Sequence, residues 1–206
     1  MASAVDKELI DAATRLFYER GVAATGVDTV AAVSGVSKPT LYAHFGTKAA
    51  LVAAVLEEQH RQRRASLEVH LAARARQSPT ERLLSVFDWI ASHQSGDWKR
   101  GCPFVNASVE LVGVANDPAR EAIGRHKQWF RGVLACLAEE AGADDPVALA
   151  SQLHLLIEGA NARMLAEGDS TAIVDARRVG ELLVSRAVRG SMRARGGRNR
   201  RTGTTD

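Results

Sequence analysis

The chain has 206 residues and a mass of 22.1 kDa; it is 46% hydrophobic and 25% charged, with 5 prolines and 2 cysteines. Those figures fit a globular protein long enough to bury a sizeable core. They exclude a Pro-rich fibre, a disulfide framework and a four-cysteine zinc site, and no uncharged apolar run reaches the ~18 residues that would cross a bilayer. The formal net charge of +3 conceals a division: residues 186–206 hold Arg186, Arg189, Arg193, Arg195, Arg198, Arg200 and Arg201 against Asp206, a net of +6, so the remainder carries −3. Global basicity therefore argues for no partner, and a local motif has to. The opening MASAVDKELI has none of the apolar core of a secretory signal, so a reducing cytoplasm is the expected compartment.

In chain order, nearly every segment reads as helix. Residues 6–20 place Leu9, Ala12, Ala13, Leu16 and Phe17 on one stripe, and Gly21 supplies the stop. Two short helices are expected near 27–34 and 38–45, and a long one from Thr47 to about residue 76. Ser78-Pro79-Thr80-Glu81 is a capping box with proline at the first helical position, followed by the stripe Leu83, Leu84, Phe87, Ile90 and Ala91. A shorter helix is expected over 102–112. Asp117-Pro118 and Asp145-Pro146 are two further cap-plus-proline starts, and a last helix runs from about Ser170 into the 180s. The reading is all-α, with about nine helices and no internal repeat. The end, RARGGRNRRTGTTD, lacks apolar periodicity and is expected to be disordered.

The informative stretch is TGVDTVAAVSGVSKPTLYAHFGTK, residues 25–48. Two short helices crossing steeply need a small residue at their contact, which Ala31 supplies, and a residue tolerant of left-handed backbone at the turn, which Gly35 supplies. Val30, Val36, Leu41 and Phe45 plug the wedge, and Ser37 caps a helix whose first turn is Lys38, Pro39 and Thr40. Lys38 and Lys48 follow the caps Ser37 and Thr47, at helix ends where the macrodipole favours anions. An external phosphate would supply the missing anion; a solvated surface lysine is the plain alternative. Tyr42 and His44 on the same short helix favour the phosphate.

Over residues 6–56 the chain resembles the N-terminal domain of the tetracycline-repressor (TetR-type) family of bacterial one-component regulators, with GVSKPTLYAHFGTKAAL close to that family's recognition-helix motif. The resemblance is specific over about a quarter of the chain; the rest agrees in length, helix count and domain order. RGCPFVNASVEL is similar, more loosely, to an actinobacterial-style branch. The resemblance implies a helix-turn-helix DNA-binding domain over 1–46 and a ligand-binding and dimerisation domain over 47–190; composition makes 191–206 a basic, disordered tail. It puts Thr25 and Thr29 near the DNA backbone, Ser37, Lys38, Pro39 and Thr40 in the major groove, and Tyr42, His44 and Lys48 on phosphates. Ala50 departs from the family, which often has an acidic capping partner for Thr47 there; Pro39 removes one amide donor.

The same resemblance implies a homodimer reading a palindromic double-stranded operator, with its seam on the last two long helices. Leu149, Leu153, Leu156, Ile157 and Ala160 form one stripe there, and Ile173, Val174, Leu182 and Leu183 another; periodicity shows only that such faces are buried, against self or partner. An unidentified small-molecule effector is implied in the body. Phe87, Trp89, Phe104, Asn106, His126 and Phe130, with His154, Glu158 and Asn161 at helical spacing, are candidates to line its pocket, plain core or a hydrogen-bonded face being the alternative. Cys102 before Pro103 reads as a buried small hydrophobe, and Arg61, Arg63 and Arg64 as a solvated helix face. No metal set, cofactor loop or nucleophile-base constellation is recognisable, so a regulator rather than an enzyme is expected, with neither cofactor nor membrane partner. A sequence-tolerant DNA organiser working through the arginine tail is the other alternative.

Overall fold

The computed structural model describes residues 3–94, 100–111 and 117–198, with side chains described through residue 188. Among the described residues there are nine α-helices and no strand: α1 (Ala4–Arg20), α2 (Val27–Ser34), α3 (Lys38–Phe45), α4 (Lys48–Ala72), α5 (Pro79–Gln94), α6 (Pro103–Glu110), α7 (Pro118–Glu140), α8 (Pro146–Glu167) and α9 (Ala172–Arg198). The all-α expectation holds. The backbone of α9 continues to Arg198, past the expected end in the 180s, because its arginines are competent helix formers once a buried face has started the helix. Residues 199–206, the rest of the expected basic tail, lie outside the described residues.

The helix starts are local chemistry. Ser3 and Asp6 form a reciprocal cap at α1: Asp6 N–H donates to Ser3 Oγ at 3.0 Å and Ser3 N–H to Asp6 Oδ2 at 2.7 Å. Ser78 and Glu81 repeat the device at α5. Thr47 Oγ1 accepts from Ala50 N–H at 3.0 Å, so half of a capping box survives at α4 despite the alanine. Asp145 Oδ1 caps α8 through Ala148 N–H at 2.9 Å.

The chain forms two compact units, Met1–Ser66 with Arg100–Lys127, and Leu67–Lys99 with Gln128–Asp206. The first unit closes over Leu9, Ala13, Leu16 and Phe17 of α1, Val30 and Ala31 of α2, Leu41 of α3, Leu51 to Leu56 of α4, and Phe104 and Ala107 of α6. Its helices hold because each brings one apolar stripe to the same centre. The 100–110 segment is stitched onto the end of α1. Arg100 N–H donates to Tyr18 Oη at 2.6 Å, Tyr18 Oη–H to Gly101 O at 3.3 Å, and the Arg100 guanidinium to the carbonyls of Tyr18 and Glu19. Burial pushes the Tyr18 phenol up to about 12, so it remains a donor throughout the ordinary pH range.

The second unit is built on α5, the part of α7 from Gln128 onward, α8 and α9 around Leu83, Phe87, Leu134, Leu153, Ile157 and Ile173. The α8 stripe Leu149, Leu153, Ile157 and Ala160 is buried within the chain itself, as is Ile173. Val174 and Leu182, by contrast, stay exposed, with Val147 and Leu155 of α8 and Val179 of α9. Gly180 lets α9 approach α5: a Cβ there would lie 3.1 Å from Phe87 Cζ.

Candidate nucleic-acid interface

The head is assembled from the turn outward. Gly35 adopts φ 71°, the left-handed conformation that lets α2 and α3 cross without a Cβ penalty. Ala31, Val30 and Leu41 are buried in the wedge, and Val36 and Phe45 pack against its rim. Ser37 Oγ accepts from Thr40 N–H at 3.2 Å and lies 2.7 Å from Thr40 Oγ1, which fixes the first turn of α3 and couples the two hydroxyls. Pro39 sits inside that turn, where its missing N–H costs nothing.

What this leaves outward is polar. Ser37, Lys38, Pro39, Tyr42 and His44 are exposed, Tyr42 at 41%, while Thr29, Thr40 and Lys48 are half-buried. The structure thus gathers Ser37 to His44 on one short helix, with Lys48 one turn beyond at the start of α4. Thr25 is different. It is 1% exposed, and its hydroxyl donates to Gly21 O at 2.7 Å, closing the end of α1 from within. Its hydroxyl is therefore not among the outward groups. The chain reversal after Gly21 turns it inward, which the spacing of residues along the chain does not reveal.

Two basic side chains on the face already have carboxylate partners. Lys38 Nζ lies 2.8 Å from Asp28 Oδ1, in the first turn of α2, and this hydrogen bond holds the ammonium pKa above its ordinary value. The missing anion inferred for Lys38 is thus supplied by the fold. His44 Nδ1 lies 2.7 Å from Asp6 Oδ1; Asp6 is held below the usual carboxylate range first by the Ser3 backbone N–H and then by His44. Among the described residues nothing pairs with the Lys48 ammonium. Arg63 corrects the reading of Arg61, Arg63 and Arg64 as a solvated face. It is 9% exposed, near Tyr18 and Cys102, and its burial lowers the guanidinium pKa.

The nine body candidates divide between the units. In the first, Phe104 and His126 stack at 3.6 Å between centroids, His60 Nδ1 lies 3.1 Å from His126 Nδ1, and Asn106 Nδ2 donates to Arg100 O at 3.0 Å. In the second, Trp89 and Phe130 lie 6.3 Å apart and Phe130 and His154 5.9 Å. His154 Nε2 is 3.5 Å from Glu158 Oε1, and Asn161 Oδ1 accepts from Gln94 Nε2 at 3.2 Å inside the core. Phe87 is packed against the Gly180 side of that core. Gln94 completes the second cluster and was not singled out from sequence; its place at the end of the α5 stripe is the signal that could have found it. Among the described residues no group of three or more His, Cys, Asp or Glu could hold a metal ion, and no helix is long and apolar enough to cross a membrane.

The model of the bacterial regulatory proteins of the tetR family matches residues 9–55, and that of the tetracyclin repressor-like C-terminal domain matches residues 79–179. The chain is 30% identical over 135 residues to the HTH-type transcriptional repressor DhaR of Mycobacterium sp. (strain GP1), a match spanning 66% of either chain, just under two thirds. It is 29% identical over 157 residues to the HTH-type transcriptional repressor ComR of Escherichia coli K12, spanning 73% of this chain and 74% of that one. Among solved structures it is similar to SCO4454, a TetR-family transcriptional regulator from Streptomyces coelicolor, at 28% identity and a TM-score of 0.80, covering 90% of this chain and 91% of that one.

Proposed function

Because the chain belongs to the TetR family of DNA-binding bacterial transcriptional regulators, we propose that it acts as a homodimeric repressor released from a palindromic operator by a small-molecule effector. The observation that carries this reading is the exposed, Ser37-capped start of α3 beyond the left-handed turn at Gly35. Ser37, Lys38, Pro39 and Thr40 enter the major groove, where lysine reads guanine edges and threonine several bases. Tyr42, His44 and Lys48 hold phosphates, with Thr29 close to the backbone and Thr25 fixing the turn that presents them. Lys38 exchanges Asp28 for a DNA partner on docking. One head binds weakly; two heads joined by symmetry read half-sites roughly 34 Å apart or slightly more.

The exposed apolar residues of α8 and α9, Val147, Leu155, Val174, Val179 and Leu182, supply the dimer seam. The polar set His154, Glu158 and Asn161 beside Trp89 and Phe130 orients the effector, and Phe104, Asn106 and His126 of the other unit respond to it. An effector acts through its different affinity for the two states, and a coupling of about 1–3 kcal/mol weakens operator binding roughly 5–150-fold. The protein works in the cytoplasm, on DNA, without catalysis.

Footprinting tests the assignment. Tyr42→Phe and Lys48→Ala should weaken all sequences together, whereas Thr40→Ala should change base preference at one position of each half-site. An unaltered footprint and affinity in all three rejects the interface.

A further inference from the structure

His44 stands on the last turn of α3, and α1 reaches it through Asp6. The two oxygens of that carboxylate are divided between two partners. Oδ2 accepts the Ser3 backbone N–H at 2.7 Å, as part of the cap that starts α1, and Oδ1 lies 2.7 Å from His44 Nδ1. Because these contacts hold Asp6 below the usual carboxylate range, the proton between Asp6 and His44 belongs to the ring. Nδ1 is therefore the protonated nitrogen of the neutral imidazole, and Nε2, which has no partner among the described residues, keeps a lone pair. A phosphate oxygen also only accepts. Held in this way, a neutral His44 meets phosphate with lone pair against lone pair, and only the imidazolium has an Nε2–H to donate. The other charged groups of the head are engaged elsewhere or do not bond the ring. Asp28 of α2 pairs with Lys38 of α3 at 2.8 Å and Lys7 of α1 with Asp11 at 3.2 Å, while Glu8, two residues on from Asp6, faces away from it. Among the described residues Tyr42 of α3 and Lys48 of α4 form no hydrogen bond or ion pair with the imidazole.

We propose that Asp6 is a positioning residue for DNA binding: by accepting from Nδ1–H it aims His44 Nε2 at a backbone phosphate and makes each head take up a proton as it docks. This rests on the DNA-reading function proposed above. Carboxylate and phosphate then hold the two nitrogens of one imidazolium between them, a charge-assisted bond on either side. The complex binds more protons than its separate parts wherever the free ring is neutral, so affinity rises as pH falls and is lost as pH rises. The slope reaches at most about one in log affinity per pH unit for each head. Unrelated duplexes share this dependence, because the contact is with the backbone and not with a base.

Asp6→Asn discriminates because the Ser3 cap fixes its orientation. The side-chain carbonyl takes the Ser3 N–H, which leaves the amide NH2 facing Nδ1 and makes Nδ1 the acceptor. The neutral ring then carries its proton on Nε2 and meets a phosphate without taking one up. The full-length protein is titrated by calorimetry with a duplex that the wild-type chain selects from a random-sequence pool, between about pH 6.5 and 8, in buffers of different ionisation enthalpy. The wild-type protein should take up protons and lose affinity severalfold per pH unit. Asp6→Asn should lose most of the uptake and bind with nearly constant affinity over the same range. If Asp6 only ties α1 to α3, the variant weakens binding equally at every pH with its slope unchanged, and that result overturns the proposal. Nitrogen NMR of the His44 ring in the free protein needs neither DNA nor the variant: the neutral ring should carry its proton on Nδ1, and an Nε2–H ring overturns the proposal even if Asp6→Asn fails to fold. Wild-type protein that selects no duplex rejects the DNA-reading function and this inference with it, whereas wild-type protein that binds without proton uptake rejects this inference alone.

Discussion

Lys38 Nζ and Asp28 Oδ1 lie 2.8 Å apart, so the cation at the start of α3 is neutralised by α2 while the face is free of DNA. The pair is solvent-exposed and contributes little to stability, but it sets what DNA must displace. Asp28→Asn should therefore raise affinity for operator and unrelated DNA alike, by up to about fivefold, the ceiling for an exposed pair. Lys38→Ala should weaken operator binding and relax the preference at the base that Lys38 reads. Fluorescence anisotropy with operator, base-substituted and unrelated duplexes measures both, and weaker binding by Asp28→Asn would show that the carboxylate positions Lys38 rather than competing for it.

The head was legible in the sequence because its demands are local. Gly35 at the left-handed turn, Ser37 capping through Thr40 and Leu41 in the wedge each follow from a few adjacent residues. What pairs with them was not legible. Asp28 with Lys38, Asp6 with His44 and Glu110 with Ala23 join residues 10, 38 and 87 positions apart, and no periodicity announces them. Burial of a polar side chain was equally hidden: Thr25 and Arg63 read as outward residues and are inside. The α8 stripe illustrates a different limit. Leu149, Leu153 and Ile157 repeat at helical spacing because their own unit buries them, and the apolar residues that stay exposed on α8, Val147 and Leu155, lie off the stripe.

The hinge between α1 and α2 depends on a backbone that only glycine adopts comfortably. Gly21 has φ 93° and ψ 157°, and a Cβ there would meet Glu110 Oε1 at 3.0 Å. Gly21→Ala should cost about 1–3 kcal/mol from backbone strain alone. Glu110→Ala relieves the contact but not the strain, so the double variant should recover only part of the loss in chemical denaturation. Full recovery would place the cost in the Glu110 contact instead.

Acid should weaken the fold before the carboxylates titrate. Burial holds His60 below its ordinary value of 6.5, with Arg64 and Arg125 adding to the shift and Glu57 opposing it. Burial does the same for His70, with Arg74 and His93 adding and the Ser85 carbonyl and Asp88 opposing. A depressed histidine pKa means that the folded state binds fewer protons than the unfolded chain. The stability is complete above the unfolded value of 6.5 and is lost as pH falls through the folded values. Melting temperature should fall as pH drops below 6.5, and the fall should be smaller in His60→Gln with His70→Gln. A profile of unchanged slope in the double variant would assign the loss to other groups. Asp6, Glu81 and Asp169, all held below their ordinary values by capping hydrogen bonds, act only at lower pH, as pH falls below the unfolded carboxylate range of about 4.

The seam prediction separates folding from assembly. Leu182 is 72% exposed on α9 and Leu155 68% exposed on α8, so neither contributes much to the core of its own unit. A glutamate at either position leaves the core intact but puts a charge where two copies are expected to bury apolar surface, and an unpaired charge there opposes association strongly. Leu182→Glu, alone and with Leu155→Glu, should keep the far-ultraviolet helical signal and near-native melting while shifting the mass seen by light scattering from dimer to monomer. Operator affinity should collapse in parallel, because one head no longer brings the second to the other half-site, whereas weak binding to a single half-site should survive. A variant that remains dimeric and binds the full operator normally would move the seam away from these two helices.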